Sequence, residues 1–251
     1  MRQKIKFSAP PDQMGASIEN VPGFPGDVFK VNFPESIGPT NQSSWFDVIQ
    51  CSWEEKENGN WTGRGWVEGK LEYSIVVTVL DDCVDFLISL TNKSKERWEE
   101  THAFNCVNCG SAITIRDHEC KRHWVKTDGS FKKLIEIPRV FGPRPALQLY
   151  SVENAPEGKD IPFVAAFKST PEKLAIEGWM AIQSTDGKRL VAVFTKPSLY
   201  TFQNREYSCI HSASSFGSLD PEETGTALTR IYFVEASLEE WYGRMIKEMK
   251  I

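Results

Sequence analysis

The sequence predicts an all-β protein, an antiparallel β-sandwich with a short C-terminal helix. Three observations point there. From Trp66 onward, apolar residues alternate with smaller or polar ones at a period of two, the mark of half-buried strands. Turn signals such as Asp81-Asp82, Asp128-Gly129 and Asp186-Gly187 recur about every ten to fifteen residues. Helical periodicity is almost absent before residue 237. At 251 residues the chain can bury a sizeable core, and no linker, repeat or low-complexity tract divides it. We therefore read residues 1–251 as a single sandwich domain.

Taken in order, residues 1–60 are rich in Pro, Gly, Asn and Ser. Pro22-Gly23-Phe24-Pro25-Gly26 and the stretch 34–40 break this region into turns, which predicts an irregular N-terminal arm with short edge strands. Leu71, Tyr73, Ile75, Val77 and Val79 alternate up to the Asp81-Asp82 turn, and 84–92 returns as the second strand of a hairpin. Further strands are expected around 123–125, 131–137, 147–152, 162–168, 179–184, 190–195, 207–211 and 227–235. The one clear helix spans 237–250. Ser237 stands three residues before Glu240, a capping-box pairing, and Leu238, Trp241, Met245 and Met249 mark one face at helical spacing.

Composition narrows the function classes. The formal net charge of −5 argues against a nucleic-acid partner, which normally requires a basic face. No apolar run is long enough to span a bilayer, so no membrane partner is expected. Residues 1–7 start basic but run into Ser8-Ala9-Pro10-Pro11 with no apolar core, so the chain as written reads as cytoplasmic unless a leader was removed. Six cysteines in a chain of this size read as reduced thiols rather than a disulfide frame. Oligomeric state leaves no trace in the sequence.

The most specific motif is a pair of short spacings: Cys106 with Cys109, then Cys120 with His123. Four thiol and imidazole ligands in two x2 pairs suit a tetrahedral structural zinc, and Gly110 suits the knuckle after the second thiol. The alternative is a chance spacing of buried thiols. Zinc is the one cofactor the sequence raises.

Other candidates lie on loops and strand ends. His211 closes a strand and opens a Ser/Gly-rich loop, where a scaffold presents functional groups. His102 and Asn105 lie in a polar-aromatic run, 98–106, and need a bulge to reach one face. A histidine there handles protons near neutral pH, and an Asn orients a sugar hydroxyl. Arg116 and His118 occupy the loop between the two cysteine pairs, with Arg116 suited to an anion. Arg144 sits in the rigid turn Phe141-Gly142-Pro143-Arg144-Pro145, and Glu153 follows a strand as a candidate carboxylate base. Of eight tryptophans most are expected in the core, with one or two, Trp66 among them, lining a groove as sugar-stacking platforms. A nucleophilic pair of Cys209 with His211 is discounted, because i and i+2 share a strand face without the orientation for proton transfer. The chain lacks a Gly-x-Ser-x-Gly elbow, a phosphate-cradling glycine loop and a His-Glu-x-x-His helix.

The runs 84–92, His102-Ala103-Phe104-Asn105-Cys106, 122–129 and Cys209-Ile210-His211-Ser212 through Tyr232-Phe233 together resemble a family of uncharacterised bacterial proteins. That family is associated with galactose-mutarotase-like supersandwich domains, and the resemblance spans roughly residues 65–235. It implies a supersandwich and a carbohydrate ligand. Mutarotase-type enzymes place histidines and a carboxylate in a groove of the concave sheet, which implies His102, His211 and Glu153 as acid–base groups. The expected function is acid–base chemistry on a sugar or uronide, of epimerase, lyase or hydrolase type. Two competing classes are a non-catalytic carbohydrate-binding module and a zinc-stabilised interaction domain.

Overall fold

The structure is a computed structural model that describes residues 4–10, 15–39, 46–47, 51–138, 147–153, 155 and 175–249. Its first strands are Lys6–Ser8 (β1), Gly15–Glu19 (β2), Phe29–Gly38 (β3), Phe46–Asp47 (β4), Ser52–Glu55 (β5) and Trp61–Val67 (β6). Leu71–Val79 (β7), Cys83–Asn92 (β8), Trp98–Asn108 (β9), His123–Thr127 (β10), Ser130–Lys133 (β11) and Leu147–Val152 (β12) follow. The last are Ala175–Ile176 (β13), Trp179–Gln183 (β14), Leu190–Lys196 (β15), Ser198–Asn204 (β16), Cys209–Leu219 (β17) and Thr224–Val234 (β18), before the helix Leu238–Met249 (α1).

The strands form two sheets. The first runs β1-β2-β3-β9-β17-β16-β12-β13, with β4 on β3, and the second runs β11-β10-β14-β15-β18-β8-β7-β6-β5. All pairings are antiparallel except β12 with β13. The fold is thus the predicted antiparallel sandwich with one C-terminal helix. The hairpin of β7 and β8 pairs from Val79↔Val84 to Leu71↔Asn92, and its inward residues Leu71, Tyr73, Ile75, Val77, Phe86 and Ile88 are buried. They meet Val31, Phe33, Ala103, Val107 and Ile210 of the first sheet in the main core. Asp128 and Gly129, both with positive φ, join β10 to β11 in a two-residue turn, the geometry an Asp-Gly pair favours.

The N-terminal arm differs from expectation. Phe29–Gly38 is a ten-residue strand lying beside β9 inside the first sheet, not irregular structure. The alternation that would announce it is broken, because the register against β9 shifts between Asn32 and Ser36. The strand expected at 162–168 lies outside the described residues. The segment 131–137 is strand only to Lys133 and then a 3-10 turn over Leu134–Glu136.

Each sheet also has an outer face. On the second sheet, Trp179, Phe194, Tyr232 and Val234 are buried under Leu238, Trp241 and Met245 of α1. The helix begins as predicted: the Ser237 backbone N–H donates to Glu240 Oε2 at 2.9 Å, and the Glu240 N–H donates to Ser237 Oγ at 3.2 Å. No helix among the described residues is long and apolar enough to cross a membrane.

Candidate functional site

On the outer face of the first sheet, antiparallel register lines side chains up in rows across the strands. One row reads Asn32, Cys106, His211, Phe202 and Leu149 from β3 to β12. Its neighbours are Asn108, Cys209 and Asn204 on one side, and Ser36, Phe104, Ala213 and Tyr200 on the other. His102 lies one row further, opposite Gly38 and Ser215. Phe104, Leu149, Leu199, Tyr200, Phe202 and Ala213 form an apolar cluster of their own here, separate from the inter-sheet core.

His211 is 4% exposed and stacks on Phe202, with ring centroids 3.8 Å apart and planes 8° from parallel. Its Nε2 lies 3.5 Å from Glu35 Oε2. Glu35 comes from the shifted segment of β3, and its side chain is 36% exposed, so solvent reaches this carboxylate. Burial pushes the His211 imidazole down to about 3, weakly opposed by the Phe202 backbone, and the ring is neutral at pH 7. His102 is fully buried beside Phe104 and Tyr200, and its Nδ1 meets the Glu100 carbonyl at 2.8 Å. A carbonyl only accepts, so Nδ1 carries the proton and Nε2 the lone pair. Burial lowers the His102 pKa to about 4. Four residues of strand separate the His102 row from the His211 row, about 13 Å, so the two imidazoles do not act on one atom.

The predicted zinc quartet does not assemble. Cys106 faces outward, where its thiol is hydrogen-bonded with that of Cys209, whereas Cys109 and Cys120 belong to the inter-sheet core. His123 is buried, with Nδ1 donating to Asp117 Oδ2 at 3.0 Å. Although burial opposes it, this hydrogen bond and one from the Arg122 backbone hold Asp117 well below the usual carboxylate range. Among the described residues the group able to share a metal is Cys106, Cys209 and His211, with donor atoms all within 4.8 Å of one another.

The remaining candidates scatter. Asn105 faces the opposite way to His102: its Nδ2 donates to Ser214 Oγ at 2.7 Å and to Thr229 Oγ1 at 3.3 Å, between the sheets. Trp66 is 62% exposed on the outward side of the second sheet, away from the histidines. Arg116 and His118 are exposed in the loop after β9, where His118 Nδ1 donates to the Arg205 carbonyl at 2.8 Å. Glu153 is exposed in the turn after β12, towards the His102 end of the face. Arg144 lies outside the described residues. Sequence reasoning missed Glu35, hidden in the supposed arm, and weighed Cys209 with His211 only as a nucleophilic pair, though their i, i+2 relation also fits shared ligation.

No family model matches the chain, and no curated protein matches its sequence. Solved structures do share its course. An α-N-acetylgalactosaminidase from Bifidobacterium bifidum, in complex with GalNAc, aligns over 99% of this chain at 9% identity and a TM-score of 0.55; this chain spans 38% of that enzyme. A candidate aldose 1-epimerase from Escherichia coli K12 aligns over 93% of this chain and 99% of its own, at 9% identity and TM-score 0.48. A galactose mutarotase related enzyme from Lactobacillus acidophilus covers 93% and 98%, at 10% identity and TM-score 0.48. At such identities the likeness concerns fold alone, and of these three the galactosaminidase aligns with a TM-score above 0.5.

Proposed function

We propose that the chain is a carbohydrate-active protein whose sugar site lies on the outer face of the first sheet, at Glu35 and His211. The observation that carries this reading is the pairing of a solvent-reached carboxylate with a neutral, buried imidazole 3.5 Å away, on the face of a mutarotase-like sheet. Glu35 is the group that takes a proton from a sugar hydroxyl. His211 is its positioning residue, fixed by stacking on Phe202 and directed at the carboxylate through Nε2. A histidine held at about 3 is a weak base at pH 7, which favours this division of labour over direct proton transfer by His211. The row of Phe104, Ala213 and Tyr200 is an apolar floor of the kind on which the C–H face of a sugar ring packs.

The reading is tested by following the optical rotation of a panel of aldoses and uronates with the protein and with Glu35→Gln. Acid–base catalysis predicts a loss of about 10²–10⁴ in rate with the fold intact. Equal rates in the two proteins, or no sugar that is either turned over or bound, would remove Glu35 from the chemistry. Sugar binding without turnover in either protein would identify the non-catalytic module instead.

A further inference from the structure

We propose that Cys106, Cys209 and His211 form a binding site for a thiophilic d10 cation, with Zn2+ as the expected occupant. The backbone prepares it. Cys106 sits directly opposite His211 across the β9–β17 ladder, and Cys209 precedes His211 by two residues on the same strand face, so two strands present three donors to one side. All three residues are buried and their donor atoms already lie within 4.8 Å of one another. A tetrahedral zinc with bonds of roughly 2.0–2.3 Å has ligand–ligand edges of about 3.3–3.8 Å, so side-chain rotation of about an ångström closes the site.

Two further observations point to a ligand. His211 Nδ1 is buried and makes no well-aligned hydrogen bond among the described residues, although the Phe202 backbone interacts with the ring. Its other nitrogen, Nε2, faces Glu35 Oε2 at 3.5 Å. A carboxylate hydrogen-bonded to the far nitrogen of a ligating histidine is the arrangement that fixes ring orientation at metal centres. Two sulfurs and an imidazole select Zn2+ or Cu+ over Mg2+ and Ca2+, whose ligands are oxygens. The balance is simple: the two thiols each lose a proton to solvent, the neutral imidazole contributes its lone pair, and no oxidant is needed. Cys109 and Cys120 lie outside the cluster, so the three ligands among the described residues leave a fourth position for water or another oxygen. The site neither requires the sugar reading nor displaces it, since Glu35 keeps its carboxylate.

The test uses the reduced full chain with Co2+ and Zn2+ alone as probes, against a chromophoric chelator. One Co2+ per chain with a thiolate-to-cobalt charge-transfer band, displaced by one Zn2+, is expected. C106S and C209S each retain one thiolate and should show about half the band, with affinity at least about tenfold weaker. His211→Asn should weaken binding while keeping the band's intensity at saturation, and Cys120→Ser should change neither. Circular dichroism confirms that each variant is folded. Absence of stoichiometric metal in the folded wild type, a metal without a charge-transfer band, or loss of binding in C120S with retention in C209S would each overturn the proposal. Optical rotation with sugars, measured separately, decides the fate of Glu35.

Discussion

His102 carries its burial into the pH dependence of the fold. Burial holds its folded-state pKa at about 4, whereas an unfolded chain takes up the proton near the ordinary value of 6.5. Below pH 6.5 the unfolded state therefore binds more protons, and stability falls as pH drops from 6.5 towards 4. The full contribution, present above pH 6.5, is of the order of 3 kcal/mol. Melting curves from pH 7 to 4.5 should slope downward, and His102→Gln, which can still donate to the Glu100 carbonyl, should flatten that slope. Parallel slopes in the two proteins would contradict the assignment. The same residue explains what the sequence concealed. A spacing of three, as in Cys106-x-x-Cys109 or His102-x-x-Asn105, puts side chains on opposite faces of a strand. Cys106 and His102 accordingly look outward while Cys109 and Asn105 look inward. A Cys-x-x-Cys pair reads as a metal knuckle only where the chain turns, and here β9 runs on through Asn108.

Among the elements, the helix was fully legible, because its cap and its apolar face are local signals. Its docking should account for a good part of the stability. Trp241 is buried against Trp179 and Tyr232, with ring centroids 5.1 and 5.7 Å away. Charged contacts reinforce it: Arg244 clasps Asp82 at 2.5 and 2.9 Å, and Arg230 reaches both Asp85 and Glu248. Trp241→Ala is expected to cost about 3–5 kcal/mol in chemical denaturation, and Ser237→Ala about 1 kcal/mol. β16 was not legible for the opposite reason. Tyr200 to Gln203 alternate over only four residues, and the polar Thr201 and Gln203 are buried along with their apolar neighbours. Glu35 escaped notice along with β3, whose register shift hides the strand.

At the level of the whole molecule, the class of fold followed from turn spacing and alternation, but the order of strands did not. β3 pairs with β9, and β9 with β17, across gaps that no local pattern encodes. What fixes the two sheets against one another is partly polar. Thr195 and Thr229 of the second sheet bond each other at 2.8 Å; Thr195 reaches Ser212 of the first at 2.6 Å, and Asn105 reaches Thr229 and Ser214. Thr229→Val preserves shape while removing the shared hydroxyl, and should destabilise by about 1–3 kcal/mol as its buried partners lose a contact. An unchanged urea midpoint would show that these hydroxyls are replaceable by packing alone. The order of synthesis gives the helix another meaning. Trp179, Tyr232 and Val234 receive their apolar cover from residues translated after β18, so a nascent chain completes both sheets with this surface bare. A message cut short after Val234 would release a sandwich with a greasy flank, suited to capture by chaperones and to clumping with its own kind.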